Sequence, residues 1–189
     1  MKICVISSIG RSGTTSLFDM MRLCLPIYYT CLNEPFNDEQ DPHAMGWIMH
    51  EPNILVKELL CHKVNGEVFP YEWLYETFDK VIIMDRRNKL EQSESNAVHS
   101  YDKTNNESWH IRKKYDLTNI PTEYIEELKK SSEDITQHYR GEIYYYEDVF
   151  MEHNVDLLME IMNSVGITEI PKQILFDYFY SPKKKVRVY

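Results

Sequence analysis

Apolar runs alternate along this chain with stretches in which apolar residues recur every three or four positions. Residues 2–9, "KICVISSI", form an unbroken, β-branched run, which predicts a buried strand. In residues 14–24, Leu17, Met20, Met21 and Cys24 share one face at helical spacing, and Pro26 ends that helix. "IYYTCL" (27–32) predicts a second short strand, and the polar, turn-rich "NEPFNDEQDPHAMGW" reads as a loop. "NILVKEL" (53–59) is a strand or a helix start; periodicity does not decide between them. Residues 71–78 carry Trp73, Leu74 and Phe78 on a short helix, and "KVIIMD" (80–85) predicts a central strand. Residues 88–99 read as helix. Residues 121–139 do too, with Tyr124, Ile125, Leu128, Ile135 and Tyr139 on one side. "EIYYYED" (142–148) predicts a strand. A helix follows over 149–165 with Leu157, Leu158, Ile161, Met162 and Val165 inward, and Gly166 is its natural stop. The stretch 100–119 has mixed charge and no clean period.

Strand–helix alternation of this kind predicts an α/β fold: three layers, with a mostly parallel central sheet flanked by helices. No repeat or low-complexity linker divides the chain, and 189 residues suit one domain over 1–189. Ligands of such sheets bind at the carboxyl ends of the strands. The polar residues that follow each strand are therefore the first candidates for function.

Composition narrows the classes. An apolar share of 43% supports a globular core, and a formal charge of −9 argues against a general nucleic-acid binder. A local basic pocket for a small polyanion remains open. Cys4, Cys24, Cys31 and Cys61 are scattered without a C-x-x-C pair, which points to thiols in a reducing compartment. The run at residues 3–9 is too short for a signal peptide, and no segment reaches the ~20 apolar residues of a membrane span. A soluble, cytoplasmic protein is expected.

After the first strand comes "GRSGTTSL", Gly10 to Leu17. Backbone amides around Gly13 and a helix start make an anion nest, to which Ser12, Thr14, Thr15 and Ser16 add hydroxyls. Against the phosphate-loop pattern G-x-x-x-x-G-K-[ST], Gly13 holds the last glycine position, but Ser8 replaces the first and Thr14 replaces the lysine. A triphosphate site built on that lysine and Mg²⁺ is disfavoured. After "KVIIMD" come Arg86 and Arg87, with Ser95 two helical turns further on, so an arginine and a hydroxyl can converge on one phosphate. After the second strand, Pro35 biases Glu34 toward extended backbone at the rim of the same crevice. Each segment has a plain alternative: a capped turn, a solvated helix start, a surface acid.

Together the three segments resemble sulfotransferases that use 3′-phosphoadenosine 5′-phosphosulfate, whose fold is of the P-loop type. Arg11-Ser12-Gly13-Thr14-Thr15-x-Leu17 is similar to the family's loop for the 5′-phosphosulfate, with Gly10 in place of the usual proline. Arg87 and Ser95 match the arginine and serine that bind the 3′-phosphate, although Lys89 stands where the family's R-x-P has proline. "RRNKLEQSES" and "NEPF" are closest to bacterial and carbohydrate-type members, in which the glutamate is a proposed base. "YYYEDVF" resembles a structural strand end, and Trp109-His110 loosely resembles a W-H pair. The resemblance implies sulfuryl transfer to a hydroxyl of a carbohydrate or small molecule, with no metal required. It assigns catalysis to Arg11 and Glu34, and the strand-end position of Lys57 adds that lysine as a third catalytic candidate. Donor binding falls to Arg11, Ser12, Gly13, Thr14, Thr15, Ser16, Arg87 and Ser95.

The remaining candidates are weaker. Lys57 closes "NILVK" and can reach a sulfuryl group or simply pair with a carboxylate. His43, His50 and His62 stand behind Glu34 as alternative bases, since the cytosolic members of the family use histidine. The family's R-K-G-x-x-G loop is absent, and Lys183, Lys184, Lys185 and Arg187 can replace its charge. Two other readings stay open. One is a P-loop kinase of nucleotides or small molecules, with Asp85 as the Mg²⁺ acid. The other is a non-catalytic nucleotide-binding module on the same fold.

Overall fold

A computed structural model describes residues 1–37, 43–64, 67–101, 117 and 120–180 of the chain. Its centre is a sheet of five parallel strands: β1 (Lys2–Ser7), β2 (Thr30–Asn33), β3 (Ile54–Leu59), β4 (Lys80–Asp85) and β5 (Ile143–Tyr145). The spatial order is β2-β3-β1-β4-β5. The α/β three-layer arrangement with a parallel sheet is thus present. β1 lies in the middle, and the chain builds to one side of it before crossing to the other, which opens a crevice at its carboxyl end.

Side chains alternate across the sheet, so each strand feeds two cores. Ile3, Val5, Leu55, Ile82 and Met84 face α1 (Thr14–Cys24) and, later in the chain, α6 (Val155–Asn163). Cys4, Ile6, Ile54, Val56 and Ile83 face the other way, toward α2 (Ala44–His50), α3 (Tyr71–Thr77) and α5 (Thr122–Thr136). Between them in sequence, α4 (Lys89–Tyr101) packs on α5. A short α7 (Lys172–Leu175) runs into a π-helical turn, Phe176–Tyr180. Among the described residues no helix is long and apolar enough to cross a membrane.

Several boundaries differ from expectation, each for a local reason. The segment 53–59 is a strand, because it pairs with β1 on one side and β2 on the other. β2 begins only at Thr30: a turn closed by Tyr29 N–H on the Pro26 carbonyl precedes it, and Ile27 and Tyr28 are exposed. α2 arises inside the expected loop, with a buried face of only Ala44 and Ile48, too small to read as a period. The expected helix over 149–165 is split. A π-helical turn (Glu147–Met151) comes first, and Asn154 then caps α6 by accepting from Leu157 N–H at 3.0 Å. Gly166 stops α6 at φ 80°, with the paired bonds Gly166 N–H to Asn163 O and Ile167 N–H to Met162 O. Trp109, His110, Lys183, Lys184, Lys185 and Arg187 lie outside the described residues.

Candidate functional site

The loop after β1 is held from both sides. Leu60 and Cys61 donate backbone N–H bonds to the carbonyls of Ser7 and Ser8 at 2.9 and 3.0 Å. From α4, Gln92 Nε2 donates to the carbonyls of Ile9 and Gly10, both at 3.3 Å. Within the loop Arg11 has φ 71° and Gly13 φ 84°, so two left-handed residues flank Ser12. That conformation costs a non-glycine residue about 1–2 kcal/mol, and such strain is stored where geometry matters. Gly13 has a second reason to be glycine: a Cβ there would stand 2.8 Å from Tyr146 and 2.9 Å from Phe150.

Here α1 begins. Its first intrahelical bond is Leu17 N–H to the Gly13 carbonyl at 3.1 Å, and no side chain caps the helix. The amides of Gly13, Thr14, Thr15 and Ser16 precede any intrahelical acceptor, and the helix dipole points its positive end at them. Ser12 is fully buried, yet its hydroxyl has no partner among the described residues. Thr14 is buried and Thr15 exposed, so the four hydroxyls are not equivalent. A hydroxyl without a partner among the described residues, beside amides that have no intrahelical acceptor, leaves donors that an anion could use.

Arg11 Nε donates to Ser95 Oγ at 3.1 Å, across 84 residues of sequence. Ser95 is 3% exposed. The structure does not bring Arg87 to this serine. Arg87 instead makes a two-pronged ion pair with Asp148, Nη2 to Oδ2 at 2.6 Å, and its guanidinium lies 4.2 Å over the Tyr145 ring. Its neighbour Arg86 is buried, bonded to Glu91 at 3.1 Å, with Glu147 3.8 Å away and the Tyr146 ring at 4.8 Å. The two arginines after β4 thus meet, one each, the two acids after β5. Register explains it, since Asp85 is level with Tyr145. The sequence carried both pairs, but nothing in either segment names its partner.

Lys57 and Glu34 are brought together as an ion pair, with Lys57 3% exposed. Lys57 sits inside β3 rather than at its end, level with Asn33, where the shorter β2 stops. Glu34 is not extended as Pro35 suggested: its φ is 52°. Its N–H bonds the Lys57 carbonyl at 2.7 Å, and its own carbonyl accepts from Asn37 N–H at 3.2 Å. The chain therefore leaves the sheet in a tight turn with proline second, and turn plus ion pair override the bias of proline on its predecessor. Burial pushes the Glu34 carboxyl up, but the Lys57 ammonium outweighs it and holds it below the usual carboxylate range.

Next in β3, Glu58 turns to the opposite face. It is fully buried and accepts from Phe36 N–H at 3.0 Å, Leu59 N–H at 2.8 Å and His62 Nδ1 at 2.6 Å. With Nδ1 committed, His62 has Nε2 left for a substrate. His62 lies close enough to Glu34 to help lower its pKa. It also lines a cavity of about 430 Å³ with Leu60, Lys63, Phe69, Tyr71 and His138. The Glu58–His62 pair was not singled out from sequence, although four-residue spacing just past a strand was the available signal. His43 and His50 are exposed, and His50 ends α2. That end of α2 gives its Met49 carbonyl to Lys2, at the amino end of the sheet and away from the crevice.

Asp85, at the end of β4, is 1% exposed and fully engaged. Lys89 Nζ is at 2.6 Å, Tyr139 OH at 2.8 Å, Arg86 N–H at 2.8 Å, and Ser8 Oγ at 3.4 Å from both oxygens. Ser8 also meets Ser132 at 2.6 Å. Burial and the Asp85 charge push the Tyr139 phenol far above its ordinary value, so it stays a donor. This network ties the loop to α4 and α5.

Neither the family models, nor the curated proteins, nor the solved structures compared with this chain give a match.

Proposed function

We propose that the chain transfers a sulfuryl group from 3′-phosphoadenosine 5′-phosphosulfate to a hydroxyl of a carbohydrate or other small molecule. The observation that carries this reading is the Arg11–Ser95 hydrogen bond. It joins the loop after β1 to the helix after β4, so the two segments that resemble the family's donor-binding motifs line one crevice. The amides of Gly13 to Ser16, which have no intrahelical acceptor, and the Ser12 hydroxyl, without a partner among the described residues, suit a bound anion. In this reading Ser12, Gly13, Thr14, Thr15 and Ser16 hold the phosphosulfate, and Arg11 brings positive charge to its bridging oxygen. Arg87 and Ser95 take the 3′-phosphate, which requires Arg87 to leave Asp148. Lys57 faces the sulfuryl group.

The acceptor oxygen bonds to sulfur, the bond from sulfur to the bridging oxygen breaks, and 3′-phosphoadenosine 5′-phosphate leaves. Positioning and electrostatics dominate such a transfer. The acceptor proton needs a base. Glu34, the base expected from sequence, is weakened for that task by its ion pair with Lys57. We therefore give the proton to His62 Nε2, oriented by Glu58, and give Glu34 the task of positioning Lys57. The cavity beside His62 suits a small acceptor. A cytoplasmic setting belongs to the same reading; Cys4, Cys24, Cys31 and Cys61 are free thiols.

The test is thermal. 3′-phosphoadenosine 5′-phosphate should raise Tm without added metal, and ATP with Mg²⁺ should do much less. Equal shifts, or a strict need for metal, would overturn the assignment. Turnover then separates the bases. His62→Gln should lower kcat by ~10²-fold or more at unchanged donor affinity, with Glu34→Gln the milder of the two. The reverse order returns the proton to Glu34. One observation favours a kinase: Lys89 Nζ lies 3.3 Å from Ser8 Oγ and so brings a lysine to the loop from α4. Asp85, the acid such a reading needs, is already taken up by four donor groups, and the same Tm comparison decides.

A further inference from the structure

Resting on the donor reading above, we infer that Asp148 is a built-in competitor for Arg87, occupying the phosphate-binding edge of its guanidinium and setting how tightly a 3′-phosphate is held. Three features carry this. First, the pairing uses both Nη atoms of Arg87 and both carboxylate oxygens of Asp148, the fork geometry that an arginine also offers a phosphate. Second, the Tyr145 ring 4.2 Å below fixes the guanidinium plane. A ligand phosphate and Asp148 would thus compete for the same edge of the guanidinium. The pair is solvent-accessible, with 53% of the Arg87 side chain exposed, so an exchange of partners involves little desolvation.

Third, Asp148 belongs to the π-helical turn Glu147–Met151, whose i→i+5 bonds run from Glu152 N–H to the Glu147 carbonyl at 3.0 Å and from Asn154 N–H to the Val149 carbonyl at 3.2 Å. Such turns concentrate at functional sites. Phe150 in this turn and Tyr146 just before it press against Gly13. One short segment therefore touches both the loop for the 5′ group and the arginine for the 3′ group. Its carboxylate weakens every ligand that carries a 3′-phosphate, the spent nucleotide included. Recapture of Arg87 by Asp148 then speeds release of that product, a step that limits many well-evolved enzymes.

The experiment is a double-mutant cycle read by calorimetry on the full chain. The ligands are 3′-phosphoadenosine 5′-phosphate and adenosine 5′-phosphate. Asp148→Asn should tighten the bisphosphate about two- to five-fold, the range of one exposed ion pair. It should leave adenosine 5′-phosphate unchanged. In an Arg87→Ala background the same substitution should change neither ligand. A tightening that persists without Arg87 would reveal a general charge effect and overturn the inference, as would unchanged or weaker bisphosphate binding by Asp148→Asn. Asp148→Ser repeats the measurement should the asparagine variant fold poorly. If the parent protein does not prefer the bisphosphate at all, the donor reading itself fails. If the preference is present but does not grow on Asp148→Asn, only the competitor role falls.

Discussion

The two ends of the crevice solve the problem of polar groups in opposite ways. At the β1 end the first amides of α1 have no intrahelical acceptor, and the Ser12 hydroxyl has no partner among the described residues. At the β4–β5 end charges already meet opposite charges, Asp85 with Lys89, Arg86 with Glu91 and Arg87 with Asp148, although the buried Arg86 Nε and Glu147 Oε1 make no hydrogen bond among the described residues. A site of fixed dipoles can wait for an anion, because a neutral amide left unpaired near solvent costs little. A site of buried charges cannot wait, since an unpaired ion in a dry interior costs several kcal/mol. Arg87, with 53% of its side chain exposed, is the one of these groups that can exchange its partner readily, as the proposed reading needs.

The largest effect should come from breaking the matched end where it is driest. Lys89→Met leaves Asp85, 1% exposed, without its cation. A loss of about 3–5 kcal/mol in urea unfolding is expected. Adding Asp85→Asn should return much of it, because a neutral amide does not need the cation. Destabilisation by Lys89→Met under 1 kcal/mol would mean that the network does not depend on the pair.

At the open end, backbone shape replaces charge. Gly13→Ala puts a methyl group 2.8 Å from Tyr146 on a residue with φ 84°. The expected loss is about 1–2 kcal/mol, and the Tm gain on adding nucleotide should vanish with it. A variant that binds as well as the parent would show that the loop tolerates another conformation.

Lys57–Glu34 lies between these extremes: partly buried, charged, beside the loop. The Glu34 pKa is depressed in the folded state, so its contribution is complete above the unfolded value of about 4.3. It is lost as pH falls through the lower folded value. Glu34→Gln should remove that part of the acid limb while changing stability at pH 7 less than Lys89→Met does. An unchanged acid limb would show that the pair does not stabilise the fold.

This contrast also explains what the sequence could and could not reveal. The layers were legible because β1 and β4 are dense β-branched or apolar runs and α1 and α6 carry helical stripes, while 53–59 stayed undecided until its pairing with β1 and β2 made it a strand. The loop was legible because backbone chemistry leaves a local mark: glycine and hydroxyl residues between a strand and a helix. The matched charges were not, since a carboxylate on β5's exit and an arginine on β4's exit meet only through strand register. Glu58 and its pairing with His62 were missed for a related reason. Within "VKELLCH" the acid looks like one more solvated charge, and only the alternation of β3 turns it into the interior. Glu34 was located correctly but given the wrong backbone, because the bias of proline on its predecessor gave way to a turn and an ion pair.

The smallest expected effect is also the one whose sign separates the two ends. At the matched end, removing one partner of a buried pair should destabilise the protein. Ser12 is different, because its hydroxyl is fully buried and has no partner among the described residues. A buried donor without a partner costs about 1–3 kcal/mol, part of which returns when the group is deleted. Ser12→Ala leaves a methyl group in nearly the same volume, so the cavity term is slight. The free protein should become more stable by up to about 1 kcal/mol in urea unfolding. Its Tm gain on adding 3′-phosphoadenosine 5′-phosphate should shrink at the same time, because the bound anion loses a donor. Opposite changes in the two readings are the mark of a group held in reserve for a ligand. If Ser12→Ala destabilises the free protein and leaves the ligand shift intact, the hydroxyl belongs to the fold, and the anion site rests on the amides of α1 alone.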